Sequence, residues 1–574
     1  MAMRRIGQIL MDQGHITEGQ LEAVLEEQQT RPGELFGNIA VAMGMINEDH
    51  VTKALAEQFG LQVINMTDMV IAPDVLTHLT QPMAELYMVI PIAFKDGTLT
   101  VATCNPQKLS VIDELRSFLG YEIRPCIATE QEIRAALDRF YGASGESVER
   151  LIDDMEKDVK LAKAAEAAEA KAGTHDLTSV EALAESAPVR KLLNMVLLLG
   201  IRDHASDLHF EPFETEFKIR IRADGVLYEM VPPPRHLAFA ITTRLKVMAD
   251  LDIAERRVPQ DGRIRLTVGG HPVDLRVSVL PTMFGESVVC RILDRSVVML
   301  DMGMVGLEPD MLRDFRKVIR RPNGIVLVTG PTGSGKTTTL YGALNELNTI
   351  EDKLITTEDP VEYDMEGIIQ MPIDASIGNT FAQCLRSILR QDPDKILVGE
   401  IRDLETAEIA VQASLTGHMV FSTLHTNDAP STITRLRDMG VPPFLITATL
   451  EAILAQRLVR KICEHCREET MPSMELLADL ELTPDDIADK HFYRGAGCPA
   501  CNNTGFKGRT GLFEFLEVNE EIRELINQGA STEQLRSACN RNGMKSLRDA
   551  GLEKIYGGVT TIEEVVRETV AHMA

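Results

Sequence analysis

The stretch Gly330-Pro331-Thr332-Gly333-Ser334-Gly335-Lys336-Thr337 satisfies G-x-x-x-x-G-K-[ST], and its flanks decide how it is read. Ile325-Val326-Leu327-Val328 before it is a short apolar, β-branched run that predicts a buried strand. Thr338-Thr339-Leu340-Tyr341 after it can open a helix. Strand, loop and helix in that order make an anion cradle. The glycines let successive backbone N–H groups turn inward on phosphate, and the helix N-terminus adds its positive end. Lys336 reaches the β and γ oxygens, and the Thr337 hydroxyl is placed to coordinate Mg²⁺. The stretch, with Thr338 beside it, predicts ATP as ligand.

At 574 residues the chain is too long for one core and implies three or four domains. A hydrophobic content of 44% and a charged content of 25% describe an ordinary globular protein. A net charge of −27 argues against nonspecific nucleic-acid binding, which needs a basic footprint to displace counterions. The N-terminus lacks the apolar segment of a secretory signal. The longest apolar run, 192–201, contains Asn194 and falls well short of the ~20 residues that span a bilayer. A cytoplasmic protein is expected, with any membrane association peripheral and made through partners or a surface helix. Nine cysteines, four of them in paired spacing, suit a reducing compartment and one metal site.

The fold class expected is multidomain α/β. An internal repeat opens the chain: residues 5–28 shifted onto 35–58 superimpose Gly7 on Gly37, Gly14 on Gly44, Ile16 on Ile46, Leu25 on Leu55 and Gln28 on Gln58. Each copy reads as two short helices, with Gly14 or Gly44 ending the first and Thr17 or Asn47 capping the second. Short strands near 88–90 and 99–102 and helices over 109–119 and 130–140 follow, an α+β pattern. The N-terminal domain is therefore drawn as 1–145. A linker covers 146–184, with the Ala/Glu/Lys-rich segment 153–172 as solvated helix and hinge. A middle domain occupies 185–300, with a strand at 217–222 and a hairpin turn at Asp224-Gly225. The ATP-binding domain runs over 301–574 and carries a cysteine-rich element near 460–510.

Three further apolar strands end on functional groups, as ligand-binding strands of open parallel sheets do. Leu354-Ile355-Thr356-Thr357 leads into Glu358-Asp359-Pro360-Val361-Glu362, Ile396-Leu397-Val398 into Gly399-Glu400, and Val420-Phe421-Ser422-Thr423 into His425. A common nucleotide motif puts an Asp directly after its strand to hold Mg²⁺. Here that place is Gly399, so Glu400 is the candidate to polarise the attacking water. Cys463-Glu464-His465-Cys466 and Cys498-Pro499-Ala500-Cys501 are two C-x-x-C pairs whose thiolates suit tetrahedral, structural Zn²⁺. Independent redox pairs or unrelated surface turns are the alternatives, and His465 is a neighbour that could replace a cysteine. Cys104, Cys126, Cys290, Cys384 and Cys539 read as buried small apolar residues.

These four ordered motifs, Gly417-His418 through His425-Thr426-Asn427-Asp428 being the last, resemble the Walker A, Asp box, Walker B and His box of secretion-superfamily ATPases. More narrowly, residues 185–574 resemble the type II secretion and type IV pilus assembly ATPases. The resemblance implies a RecA-like ATPase domain, a PAS-like middle domain and a homo-hexameric cytoplasmic motor. It implies catalytic roles for Lys336, Glu358, Glu400 and His425, and places Arg276 and Arg291 on the phosphates in a closed state. Arg386 and Arg390 fall where the family has further nucleotide-side arginines. The N-terminal repeat is similar to the family's cyclic-di-GMP-binding domain. Its contacts would map to Arg5, Ile6, Gly7, Leu21, Leu25 and Gln28, then to Leu35, Gly37, Val51, Leu55 and Gln58. Leu35 stands where an arginine is usual, and a helical docking module is the other reading.

What the resemblance implies is assembly of a pilus or a secretion pseudopilus at the inner membrane, with a membrane-platform protein and a cytoplasmic adaptor as partners and no nucleic acid. Two alternatives stay open: a nucleic-acid motor on the same nucleotide core, and a cyclic-di-GMP-gated scaffold whose ATPase is idle.

Overall fold

The structure is a computed structural model that describes residues 4–30, 35–66, 69–76, 78–79, 81–105, 109–141, 184–230, 232–268, 271–294, 301–480, 482–483, 487 and 489–569. Residues 146–183 of the expected linker, the hinge segment included, lie outside the described residues. The chain divides into two compact units, 1–296 and 297–574.

In the first unit the repeat folds as helices Ile6–Asp12, Glu18–Thr30, Phe36–Ala42 and Glu48–Phe59. Gly14 and Gly44 adopt φ of +76° and +69°, which closes each first helix at little steric cost. Asn47 Oδ1 accepts the His50 N–H at 2.9 Å, and Thr17 Oγ1 accepts that of Gln20 at 3.4 Å. Gly7 and Gly37 serve helix packing: a Cβ on Gly7 would lie 2.5 Å from Leu21 Cδ1, and one on Gly37 would lie 2.7 Å from Val51 Cγ1. The symmetry breaks at the next equivalent pair. Leu25 is 46% exposed whereas Leu55 is 8% exposed, because Leu55 packs with Ala56 and Ile127 alongside Ile6, Val51 and Phe59.

Strands β1 (Val89–Lys95), β2 (Thr98–Thr103) and β3 (Glu122–Ile127) form a sheet in that order, antiparallel then parallel. Helix Leu109–Leu119 supplies the crossover that the parallel pair requires. Helix Ala187–Arg202 and strands β4 (Asp207–Pro212), β5 (Phe217–Ala223), β6 (Val226–Glu229), β7 (Gln260–Val268), β8 (His271–Thr282) and β9 (Gly285–Asp294) follow. The six strands pair antiparallel in the order β6-β5-β4-β9-β8-β7. Their alternating pattern turns Leu208, Phe210, Ile219, Leu275, Val277 and Cys290 into a core shared with Leu192 and Val196 of that helix and Ile241 of helix Ala238–Met248. The apolar run 192–201 is thus core. Its Asn194 donates to the Phe118 carbonyl at 3.1 Å, which satisfies the one polar group in it. Among the described residues no helix is long and apolar enough to cross a membrane.

The second unit holds β10 (Gly324–Thr329), β11 (Leu354–Glu358), β12 (Ile369–Pro372), β13 (Lys395–Val398), β14 (Met419–Leu424), β15 (Leu450–Ile462), β16 (Arg467–Thr470), β17 (Phe492–Gly495) and β18 (Phe506–Glu517). The large sheet runs β12-β11-β13-β14-β10-β15-β18, parallel except for the last pair. Every residue of β10 is buried. Ile325 and Leu327 face the core under helices Phe381–Ile388, Leu404–Leu415 and Ala429–Asp438, and Val326 and Val328 face the core under Pro309–Ile319 and Lys336–Leu347.

A buried acid ties this unit's helices together. Glu514 on β18 is 4% exposed. It accepts the N–H of Ala429 at 2.7 Å and of Leu547 at 3.3 Å, each the first residue of its helix, Ala429–Asp438 and Leu547–Tyr556. Two unsatisfied N-terminal donors and two positive helix ends meet on one carboxylate. Burial pushes its pKa up from 4.5 to about 7, with the Ala429 donor opposing and the Asp428 charge adding to the rise. The folded chain therefore holds this proton up to about pH 7, while the unfolded chain releases it near 4.5. Folding stability attributable to Glu514 falls as pH rises through that window, by up to about 3 kcal/mol.

The expected result for Glu514→Gln, which cannot titrate, is a flatter pH dependence of the second unit's thermal transition between pH 4.5 and 7. An unchanged slope would refute the assignment. In the first unit, Gly37→Leu drives side-chain atoms into Val51 and should lower the transition of the N-terminal helices by about 1–3 kcal/mol, read by hydrogen exchange of residues 36–59.

Candidate functional site

The phosphate loop follows β10 and opens helix Lys336–Leu347, as the sequence predicts. Gly330, Gly333 and Gly335 take φ of +147°, +81° and +86°. A side chain at Gly330 would overlap the Gln456 carbonyl oxygen, so the loop needs glycine there for close approach as well as for conformation. Ser334 is buried, and its hydroxyl has no hydrogen-bond partner. Thr337 and Thr338 are exposed on the helix's first turn. These features suit a cradle for polyphosphate and a hydroxyl-bound cation. Lys336 folds over the loop, its Nζ donating to the Gly330 and Pro331 carbonyls at 2.8 and 2.9 Å. Burial pulls its pKa down to about 8, against the Glu400 charge and with that of Arg457.

Glu400 stands two residues beyond β13. One carboxylate oxygen lies 3.2 Å from His425 Nε2, and the other is paired with Arg402. His425 follows β14 directly and is half exposed. Gly399 is tightly enclosed: its N–H donates to the Thr357 carbonyl at 2.8 Å, and a Cβ there would lie 3.2 Å from Thr357 O and 3.3 Å from Phe381. A side chain at this position would press on Thr357 and Phe381, a crowding the acid avoids by standing one residue later. Thr423 Oγ1 donates to the Gly399 carbonyl at 2.7 Å and the Ile401 N–H to the Thr423 carbonyl at 3.1 Å, so β14 steers the backbone that presents Glu400.

Other expected residues fall elsewhere. Glu358 is buried, its carboxylate receiving the Tyr341 hydroxyl, the Thr356 hydroxyl and, at 3.2 Å, Gln370 Nε2. Tyr341 belongs to the helix that Lys336 begins, and burial together with Glu358 raises its pKa. His418 lies at the opposite end of β14 from His425, its Nδ1 2.8 Å from the Ala413 carbonyl. Helix Phe381–Ile388 carries Arg386 but ends before Arg390, although four-residue spacing would put both on one helical face. That helix starts where Phe381 meets Gly399 and runs toward Asp394, which binds Lys353 ahead of β11. Arg386 pairs with Glu405 at 2.8 Å, and Arg390 donates to the Arg386 carbonyl at 2.9 Å. Among the described residues, the contacts made by both lie away from the phosphate loop.

In the first unit the strand register sets Arg263, Arg276, Arg291, Asp207 and Arg222 side by side across β7, β8, β9, β4 and β5. Arg291 Nε lies 3.0 Å and Arg222 Nε 3.7 Å from the two Asp207 oxygens. Arg263, Arg276 and Arg291 are directly opposed in succession and repel one another, while Asp207 separates Arg291 from Arg222; such a row suits a polyanion.

The four expected cysteines converge, their Sγ atoms all within 4.8 Å of one another. Sγ separations are 3.9 Å for Cys463 and Cys498, 3.8 Å for Cys466 and Cys501, and 3.7 Å for Cys498 and Cys501. A tetrahedron with metal–sulfur bonds of ~2.3 Å has edges of ~3.8 Å, so the donor set fits such an ion. His465 is exposed and outside the cluster. Backbone bonds from Cys463 N to Gly505 O and from Ala496 N to Cys466 O, both 2.9 Å, hold the two knuckles together. Of the other cysteines four are buried, but Cys104 is partly exposed, contrary to expectation.

Sequence reasoning overlooked Gln456 and Arg457 on β15. Thr339 Oγ1 donates to Gln456 Oε1 at 2.8 Å, bracing the helix behind the loop, and Arg457 lies against Gly330. Their signal was a polar pair closing the apolar run Ala452-Ile453-Leu454-Ala455.

Comparison with known proteins matches residues 182–567 to the type II/IV secretion system protein family and residues 59–147 to the MshEN domain, a span that begins after the helical repeat. The type IV pilus assembly ATPase PilB of Myxococcus xanthus is 45% identical over 568 residues, covering 98% of this chain and 99% of that one. The type II secretion system protein E of Xanthomonas campestris is 40% identical, covering 96% and 98%. The solved Yersinia pseudotuberculosis ATPase DotB shares the fold at 20% identity, with a TM-score of 0.50 over 66% of this chain and 93% of that one. With its phosphate loop, strand-end acids and family match over two thirds of its length, the chain belongs to the type II/IV secretion system protein family and is a P-loop ATP hydrolase.

Proposed function

We propose that this protein is a hexameric, Mg²⁺-dependent ATPase that powers assembly of a type IV pilus or a type II secretion pseudopilus from the cytoplasmic face of the inner membrane. It works with a membrane-platform protein and a cytoplasmic adaptor. The observation that carries the catalytic reading is Glu400, held beside His425 at the strand-end edge and close enough to Lys336 for its charge to oppose the burial that pulls that lysine's pKa down. Likeness to a pilus assembly ATPase along almost the whole chain supports the assembly role.

In this reading the backbone of residues 330–337 and Lys336 bind the phosphates, and Thr337 helps hold Mg²⁺, which neutralises charge on the transferred group. Glu400 orients the water, with His425 and Arg402 fixing its carboxylate. Glu358 acts by holding Tyr341, and through it the phosphate-loop helix. Arg276 and Arg291 contact the polyphosphate, which links hydrolysis to movement of the domain that carries them. Arg386 and Arg390 serve a nucleotide other than their own, that of a neighbouring subunit. The antiparallel sheet, with helices Ala187–Arg202 and Ala238–Met248 packed in its core, supports a PAS-like reading of residues 185–300. Cys463, Cys466, Cys498 and Cys501 hold a structural Zn²⁺ that ties residues 460–510 into one element. Cyclic-di-GMP regulating the N-terminal helices is supported by the exposure of Arg5, Leu25 and Leu35; Gly7 and Gly37, being taken up by helix packing, contribute backbone alone.

Steady-state ATP hydrolysis tests the reading across protein concentrations that span assembly. Activity should rise with assembly, Glu400→Gln should lose about 10²-fold or more while still binding nucleotide, and Arg276→Ala should lose activity in the assembled state. Hydrolysis surviving Glu400→Gln would remove that residue from the reaction. Metal analysis should return one zinc per chain. Cys498→Ser should lose it and lower the melting temperature of the second unit, whereas full stability without metal would leave the cysteines with no structural ion.

A further inference from the structure

Arg457 is 4% exposed, on a strand with no assigned part in hydrolysis. Parallel pairing of β15 with β10 sets Ala455 opposite Thr329, so Gln456 and Arg457 come level with the first residues of the phosphate loop. The Arg457 guanidinium makes contacts on three sides. Nη1 donates to the Gln456 carbonyl at 3.1 Å and lies 3.2 Å from where a Cβ on Gly330 would sit. Nη2 donates to both the backbone carbonyl and the side-chain oxygen of Asn427, at 3.0 and 3.2 Å.

Asn427 stands two residues after His425, which touches Glu400 at 3.2 Å. The same segment is held from β10, since Thr329 Oγ1 accepts the Thr426 N–H at 3.0 Å. It is anchored beyond by Asp428, which caps helix Ala429–Asp438 and pairs with Arg536 at 2.6 Å. The path of the backbone from Leu424 to Asp428 is therefore fixed at both ends: the Gly330 N–H donates to the Leu424 carbonyl at 3.4 Å, and Arg457 is the side chain that joins Asn427 to the phosphate loop. Lysine cannot replace it geometrically: one ammonium has no planar fork to span a carbonyl and an amide while also lying against Gly330.

We propose that Arg457 is a positioning residue for hydrolysis, which holds the segment carrying His425 against the start of the phosphate loop and so sets the His425–Glu400 contact without itself meeting nucleotide or water. The inference rests on reading Glu400 as the group that orients the attacking water. A guanidinium buried between the phosphate loop and a segment that aligns the acid makes the alignment depend on that loop.

The test is ATP hydrolysis and binding of a fluorescent ATP analogue by the full chain, for Arg457→Gln, Arg457→Lys, His425→Ala, the Arg457→Gln/His425→Ala double variant and Glu400→Gln. Arg457→Gln should lower kcat ten- to hundredfold with analogue affinity and KM within about threefold of wild type, and Arg457→Lys should recover little of it. In the His425→Ala background Arg457→Gln should cost less than threefold further, because its effect runs through that histidine. Equal losses in affinity and kcat would make Arg457 a phosphate contact and overturn the proposal, as would full additivity with His425→Ala. If Arg457→Gln does not fold, Arg457→Lys carries the same comparison. Glu400→Gln separates the two ideas. Its retaining activity refutes the catalytic reading whatever Arg457 does, whereas its losing activity alongside an inert Arg457→Gln refutes the positioning role alone.

Discussion

Parallel pairing of β12, β11, β13, β14, β10 and β15 is the constraint on which the rest of the second unit depends. Parallel strands put all their carboxyl ends at one edge, so the phosphate loop after β10, Glu400 after β13 and His425 after β14 meet because of sheet direction. The central position of β10 adds a second restriction. Bonded on both sides and buried on both faces, it cannot shift in register without driving Ile325 and Leu327 into the packing built around Val326 and Val328, and the reverse. The loop it feeds is thereby fixed to within the play of its own glycines.

That rigidity explains which parts of the protein were legible in sequence. Strands bounded by apolar runs and helices bounded by caps were read with little error: residues 109–119 and 130–140 are helices at those limits. The repeat's glycine ends and caps were also correct, since each has a local cause in φ or in one side-chain bond. The phosphate loop and the cysteine cluster announce themselves because their chemistry is encoded in spacing.

What stayed hidden depends on contacts between segments far apart in sequence. Glu358 looks like a strand-end acid in the text, yet Tyr341 and Gln370 reach it from other elements and bury it. Gly7 and Gly37 are glycines because a Cβ at either would strike Leu21 or Val51, a packing requirement that spacing alone does not show. Arg457 was passed over because it sits in a run of core residues, where pattern alone reports burial and says nothing of what the polar end touches. Arg390 lies just beyond Ile388 and caps the preceding helix through the Arg386 carbonyl, a terminal role that spacing alone does not reveal.

The charge distribution supplies the last step. A chain with net charge −27 should repel polyanions, yet β7, β8, β9, β4 and β5 line up four arginines on one row of one sheet. Surface charges act over about 8–10 Å at physiological salt, so a row of cations governs its immediate neighbourhood while the acidic remainder governs the approach of anything larger. A compact triphosphate can fit inside that positive range. A nucleic acid carries its charge far beyond it and meets the surrounding acids at every further phosphate. On the proposed reading, in which Arg276 and Arg291 meet the polyphosphate, locally concentrated arginine in an acidic protein would favour an anion whose charge is short enough to be covered all at once.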